Sequence, residues 1–201
     1  MTDLLLATTN RGKQRELRRL LADLAARVVT PQELGLDLEV EEPYATYAEN
    51  AAAKADAYAR ASGLPTLADD SGLEVAALDW GPGVRTNRFG GPDVDDPVSH
   101  LLARIEEADD RRARMVCWLA MAAPGPSAGE APAIELFSGV VEGSVTRERR
   151  GDGGFGFDPI FLLPSGKTTA ELPEVEKDRI SHRGRAVAAA MPRLRELLGG
   201  P

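Results

Sequence analysis

The chain has 201 residues, 43% apolar and 28% charged, with a formal net charge of -8 at pH 7. That length accommodates one α/β domain, or one domain with two lobes, around a substantial core. The negative charge argues against a polymeric nucleic-acid partner, which demands a basic face, but leaves room for a small anionic ligand held by a few clustered cations.

The opening "MTDLLLATTN" lacks both the basic start and the long apolar core of a signal peptide. Within it, Asp3 to Thr8 is a short apolar run with a polar end, which predicts a buried strand. "GKQRELRRLLADL" follows, with Leu17, Leu20, Leu21 and Leu24 on one helical face. A second strand is predicted over Arg27 to Thr30. Thr46 and Glu49 form a capping box ahead of the helix "NAAAKADAYARAS", which Gly63 and Pro65 stop. "PTLAD" and "LEVAAL" are predicted as strands on either side of an Asp-Asp-Ser-Gly bend.

"WGPGVRTNRFGGPDVDDP" reads as a long loop, and Pro97 opens a helix over Val98 to Glu107. "ARMVCWLAMAA" and "AIELFSGVVEGSVT" read as two long strands joined by "PGPSAGEAP", a hairpin with a mobile tip. Cys117 is the single cysteine, so no disulfide forms within the chain, and in its apolar run it reads as a buried small hydrophobe. "RRGDGGFGFDPIF" passes through a glycine-rich loop into a short strand. "SHRGRAVAAAMPRLRELL" is predicted helical from a Ser181 cap, with Pro192 kinking or splitting it. No apolar stretch approaches the ~20 residues that span a bilayer. The expected location is cytoplasmic.

Several stretches are candidates for chemistry. "ATTNRGK" sets Thr8, Thr9 and Asn10 after a strand and Lys13 at a helix start, where amides, hydroxyls and an ammonium suit a phosphate chain. The Walker spacing is absent, and a polar strand-to-helix turn with a solvated lysine is the alternative. Glu41, Glu42, Asp69 and Asp70 are the acidic candidates for a hard cation, which one or two carboxylates hold together with substrate phosphates and water. Lys54, four residues after Asn50 and so on the same helical face, is placed to reach a phosphate or to lie in solvent. "GDGGFG" matches G-x-G-x-x-G but sits between "TRERR" and a strand, so the dinucleotide-binding reading fails; a flexible loop with Phe155 available for stacking remains. His182 and Arg183, with Lys177 ahead, form either a solvated basic helix entrance or a set of donors for ligand oxygens.

Taken together, "LLLATTNRGKQRELRRLL", "YAENAAAKA", "LADDSGLEVAAL", "GDGGFGFDPIF" and "EKDRISHRGRA" resemble, in this order from residue 4 to about residue 190, the inosine triphosphate pyrophosphatase (Ham1-like) family. The resemblance implies an α/β fold with a central mixed sheet flanked by helices, in two lobes with the active-site cleft between them, as a single domain over residues 1–201. It implies Mg²⁺-dependent hydrolysis of non-standard purine nucleoside triphosphates (ITP, dITP, XTP) to the monophosphate and pyrophosphate, and a homodimer. By the same resemblance Thr8, Thr9, Asn10, Arg11, Gly12 and Lys13 hold the phosphates with Lys54. Asp70 is the catalytic carboxylate with Asp69 beside it, Glu42 and Asp70 bind the metal, and Ser71 contacts substrate. Phe155, Gly156, Phe157 and Asp158 form the base and sugar loop, and Lys177, His182 and Arg183 read the base.

The chain departs from the family pattern at Thr9, where Gly is frequent, at Phe157, where Tyr is common, and at Pro43-Tyr44, where Thr-Gly is usual. "DWGPGVRTNRFGG" is also an altered loop. Two alternatives stand beside this reading: a Maf-like pyrophosphatase of other nucleotides, and a non-catalytic nucleotide-binding module. The "SHR" block disfavours the first, and the retained Asp69, Asp70, Lys13 and Lys54 disfavour the second.

Overall fold

The computed structural model describes residues 2–125 and 130–199. Its elements run β1 (Thr2–Leu6), α1 (Arg11–Leu20), β2 (Ala26–Val29), α2 (Tyr47–Ser62), β3 (Thr66–Val75), β4 (Gly81–Pro82), α3 (Pro97–Arg104), β5 (Arg112–Ala123), β6 (Ala133–Val145), β7 (Phe161–Leu162), α4 (Glu174–Ile180) and α5 (His182–Leu198), with single 3₁₀ turns between several of them. The expected mobile tip of the β5–β6 connection lies at 126–129, outside the described residues.

Among the described residues the sheet has seven strands in the order β2-β1-β3-β5-β6-β7, with β4 paired to β3. β1 runs parallel to β2 and to β3, while β3–β4 and β6–β7 are antiparallel, so the sheet is mixed. Parallel strands need a long crossover: α1 connects β1 to β2, and α2 lies in the connection from β2 to β3, the two strands that flank β1.

The chain divides into two compact units. The first comprises Met1–Asp70, Cys117–Gly139 and Arg183–Pro201, and the second Ser71–Val116 and Val140–His182. In the first unit the alternation of strand side chains feeds two cores. Leu4, Leu6, Leu67, Leu119 and Met121 pack with Leu17 and Leu21 from the α1 region and Ala186, Val187, Ala190 and Leu194 of α5. Their neighbours in sequence, Leu5, Ala68, Ala120 and Ala122, pack with Ala51, Ala55, Tyr58 and Ala59 of α2. Helices therefore cover both faces of these strands. In the second unit Leu73, Val75, Met115, Val141 and Val145 pack with Val98 and Leu101 of α3 and with Phe157, Ile160 and Phe161.

Side chains cap three of the helices at their N-termini. Asn10 caps α1 through its side-chain oxygen, which accepts from the amides of Gly12 (2.9 Å) and Lys13 (3.1 Å). Thr46 caps α2, and Gly63 ends it in the left-handed conformation at φ 67°. Asp96, one residue before Pro97, caps α3.

Three expectations need correction. Asp69-Asp70-Ser71-Gly72 is not a bend between two strands but the middle of one ten-residue strand, buried along almost its whole length. The residues favour turns, yet burial on both sides and the partners described below hold them extended, and the strand ends at Val75 with Ala76–Leu78 in a 3₁₀ turn. Helix α4 was not read from "EVEKDRI", although Glu174 and Glu176 in its first turn and Lys177 and Arg179 in its last suit the helix dipole. Pro192 lies inside α5, which continues as one helix from His182 to Leu198.

Candidate active site

Because β3 is a continuous strand, the two adjacent carboxylates point to opposite faces. Asp69 shares the face of Leu67, toward α1 and α5, and Asp70 shares the face of Ala68, toward α2. Each meets a different chemistry.

Asp69 is fully enclosed. The Lys13 ammonium lies 2.5 Å from its Oδ1, and Arg183 Nε donates to its Oδ2 at 3.1 Å. The Cys117 thiol donates to the same oxygen at 3.4 Å, and Arg183 reaches on to Glu16. Lys13, Glu16, Asp69 and Arg183 are each 4% exposed or less. Two cations and two anions thus form a neutral buried network. Burial by itself would raise the Asp69 pKa, but the charges of Lys13, Arg183 and Lys54 outweigh it and hold the carboxyl well below the ordinary range.

Asp70, 2% exposed, is treated otherwise. Asn50 Nδ2 donates to its Oδ2 at 3.2 Å, and the Lys54 ammonium stands 3.8 Å from its Oδ1. Lys54 itself bonds the Glu42 carboxylate and the Asp69 carbonyl (2.7 Å). Burial raises the Asp70 pKa, Lys54 and Lys13 oppose it, and the negative charges of Glu42 and Asp69 add to the rise, which reaches about 6. One strand therefore carries an acid locked in its charged form and, next to it, an acid close to its titration point near neutral pH.

The strand-to-helix turn ahead of α1 belongs to the same unit. Thr8 Oγ1 accepts from the Asn10 amide at 3.2 Å, and Gln14 Nε2 donates to the Thr8 carbonyl at 2.8 Å. Thr9 and Arg11 are exposed, while Gly12 and Lys13 are buried.

In the second unit the glycine-rich loop is organised around Asp158. Its Oδ2 accepts from the Phe155 amide (2.7 Å) and the Lys177 ammonium (2.6 Å), and its Oδ1 accepts from the Thr169 hydroxyl (2.8 Å). The same ammonium lies 5.4 Å from the centre of the Phe155 ring, a cation–π distance. Gly156 is at φ 59°, and Phe157, His182 and Ser71 are buried. Gly154 has φ 72°, and a Cβ there would collide with the Asp158 carboxylate and meet the Lys177 ammonium at 2.9 Å. Gly154→Ala is expected to cost about 1–2 kcal/mol from the left-handed backbone alone. At roughly 2–4 °C per kcal/mol for a chain of this size, a thermal melt should drop by about 2–8 °C.

A family model described as the Ham1 family matches residues 4–193. The chain belongs to the Ham1 family. Among curated Ham1 relatives, the "dITP/XTP pyrophosphatase" of Methylococcus capsulatus is 46% identical over 202 residues, covering 98% of each chain. That of Escherichia coli O157:H7 is 43% identical over 200 residues, covering 97% of this chain and 99% of the relative. Among solved structures, the Ham1 protein of Staphylococcus aureus aligns with a TM-score of 0.82 at 35% identity, over 97% of this chain and 99% of its own. The Coxiella burnetii HAM1 protein gives 0.82 at 40% identity over 98% and 100%. The mixed α/β fold with helices flanking a central sheet is thus the Ham1 fold.

The residues of this Ham1 protein suit a hard divalent cation. No group of three or more His, Cys, Asp or Glu side chains that could cage a metal occurs among the described residues. What is present is a pair, Glu42 and Asp70, with the Lys54 ammonium bonded to one and 3.8 Å from the other. Two carboxylates already gathered around a positive charge fit Mg²⁺, which takes its remaining ligands from phosphates and water.

The structure brings Thr8 to Lys13, Glu42, Lys54, Asp69, Asp70 and Arg183 into the first unit, and Ser71, Phe155 to Asp158, Lys177 and His182 into the second. Sequence reasoning missed Glu16, Asn50 and Thr169. Glu16 and Asn50 had a readable signal: each is a polar residue on the buried side of its helix, beside Leu17 and Ala51. Thr169 had none.

Proposed function

We propose that this protein hydrolyses non-standard purine nucleoside triphosphates (ITP, dITP and XTP) to the monophosphate and pyrophosphate. The observation that carries the chemistry is the division between Asp69, committed to Lys13 and Arg183, and Asp70, poised at a pKa of about 6 beside Glu42. The substrate class is supported by full-length relatives named dITP/XTP pyrophosphatase.

Asp70 is assigned as the general base. It takes a proton from a water whose oxygen attacks the α-phosphorus, and the bond to the bridging oxygen breaks with pyrophosphate leaving. Burial and the neighbouring carboxylates hold its pKa at about 6 in the metal-free protein, and a cation at Glu42 and Asp70 would lower it and keep the base ionised. Glu42 and Asp70 would hold Mg²⁺, which neutralises the triphosphate and the charge building on the leaving group. Lys54, beside Glu42 and Asp70, is assigned to the phosphates. Thr8 to Lys13 offers hydroxyls and a helix N-terminus to the same chain. Lys13 and Arg183 act through Asp69, fixing the strand and the local charge.

In the second unit, the Phe155 ring offers a flat surface for a purine, and Lys177 and His182 are assigned as donors to its 6-oxo group. Hypoxanthine and xanthine carry that acceptor and adenine does not, so a site built around donors disfavours ATP. The family resemblance further leads us to propose a homodimer acting in the cytoplasm, with residues 1–201 as one catalytic domain.

The test is product analysis. With Mg²⁺, ITP should yield IMP and pyrophosphate in equal amounts, and EDTA should stop the reaction. Orthophosphate as the first product, or turnover that ignores EDTA, would overturn the assignment.

A further inference from the structure

We propose that Asn50 is a positioning residue that sets the spacing of Glu42 and Asp70, and so the affinity of this pair for its divalent cation. The proposal rests on the reading above that these two carboxylates form the metal site. Asn50 is 1% exposed, in the second turn of α2. Its carboxamide makes three directed bonds. Oδ1 accepts from the Tyr44 amide at 3.1 Å, Nδ2 donates to the Tyr44 carbonyl at 3.3 Å, and Nδ2 also donates to Asp70 Oδ2 at 3.2 Å.

The two bonds to Tyr44 reproduce the reciprocal pairing of a backbone bridge, and so tie down a stretch, 36–44, that has no helix or strand of its own. Glu42 lies two residues from that anchor. The third bond fixes the carboxylate of Asp70, which comes from a different element, β3. One side chain therefore bonds one candidate ligand and anchors the segment that carries the other. Only a carboxamide of this length offers one acceptor and two donors from a single rigid plane: aspartate lacks the donors, and serine has one. Lys54, one helical turn further along the same face, reinforces the arrangement by joining Glu42 to the Asp69 carbonyl. Groups that orient ligating carboxylates in this way change metal affinity or activity by about 10- to 100-fold when removed.

The experiment titrates the nucleotide-free protein with Mn²⁺, read by electron paramagnetic resonance, and measures the Mg²⁺ dependence of ITP turnover. Asn50→Ala is compared with wild type and with Leu24→Ala, which loosens the core of the same unit without touching the carboxylates. Asn50→Ala is expected to weaken Mn²⁺ binding and raise the half-saturating Mg²⁺ concentration by about 10- to 100-fold, with KM for ITP at saturating Mg²⁺ little changed. Leu24→Ala should change neither metal measurement. If Asn50→Ala does not fold, Asn50→Ser carries the same expectation, since a hydroxyl cannot span Tyr44 and Asp70 together. Wild-type metal affinity in the Asn50 variants, or an equal loss in Leu24→Ala, would overturn the proposal. A wild-type protein that binds Mn²⁺ but leaves ITP intact would instead overturn the functional reading, and the Mn²⁺ comparison would still decide the role of Asn50.

Discussion

Replacing Asp70 by Asn is expected to abolish pyrophosphate release and, in the same protein, to raise the stability of the fold. The first effect follows from losing the base and one of the two metal carboxylates. The second follows from the sign of the pKa shift. An unfolded aspartate titrates near 3.8, and Asp70 in the folded protein titrates at about 6. The folded state holds this proton more tightly than the unfolded state does. Ionising Asp70 therefore destabilises the fold: the cost is absent below about pH 3.8 and complete above about pH 6. At neutral pH it amounts to about 2–3 kcal/mol, and Asn removes it while keeping an oxygen to accept from Asn50.

Measured in EDTA at pH 7.5 or so, a gain of that size should raise Tm by roughly 4–12 °C. The gap between the two proteins should narrow as the pH is lowered through about 6, because the wild type then protonates Asp70 and sheds the cost. A gap that stays constant with pH, or an inactive variant that is less stable, would move the poised carboxylate elsewhere.

The opposite behaviour is expected at Arg183. Its guanidinium is 2% exposed and joins Asp69 to Glu16. Burial disfavours its charge, but Asp69 and Glu16 more than compensate, so its pKa is raised. Arg183→Met would remove the guanidinium that joins the two buried anions, leaving Asp69 to Lys13 and the weaker influence of Lys54. Removing one partner from a buried charge network typically costs about 3–5 kcal/mol, because the remaining charge stays desolvated. The variant should show that loss in urea unfolding.

The double variant Glu16→Met/Arg183→Met removes one charge of each sign and leaves the Lys13–Asp69 pair intact. It should recover much of the loss, and the difference between the two measures the coupling. A double variant as unstable as the single would mean that packing, rather than charge balance, dominates this site. The Asp69 contribution has the sign opposite to that of Asp70. Its folded pKa is depressed, so its stabilisation is complete above the unfolded carboxylate pKa and is lost as the pH falls below it.

How much of this was legible in the sequence differs from element to element. Helix α2 was readable because its determinants are local: Thr46 and Glu49 at one end, Gly63 at the other, and alanines between. The motif residues of the candidate site were readable as residues. Their geometry was not, and β3 shows why. Asp, Ser and Gly favour turns when considered locally, but the extended form of Asp69-Asp70-Ser71-Gly72 is enforced by groups distant in the chain: Lys13, Asn50, Cys117 and Arg183. A bend would leave the two carboxylates side by side with similar surroundings. A strand separates them onto two faces, and the separation gives them different partners and pKa values. Arg183 illustrates the same point, since its position beside His182 suggested a donor for a ligand, whereas its guanidinium is bound by Glu16 and Asp69.

The central claim is that the protein cleaves purine triphosphates to pyrophosphate and selects them by the 6-oxo pattern of the base. The most direct measurement is kcat/KM for pyrophosphate release from ITP, dITP, XTP, ATP and GTP, side by side in Mg²⁺. Values for ITP, dITP and XTP far above that for ATP are the predicted result, while GTP, which carries the same 6-oxo group, reports separately on exclusion of its 2-amino group. ATP turned over as efficiently as ITP would contradict it.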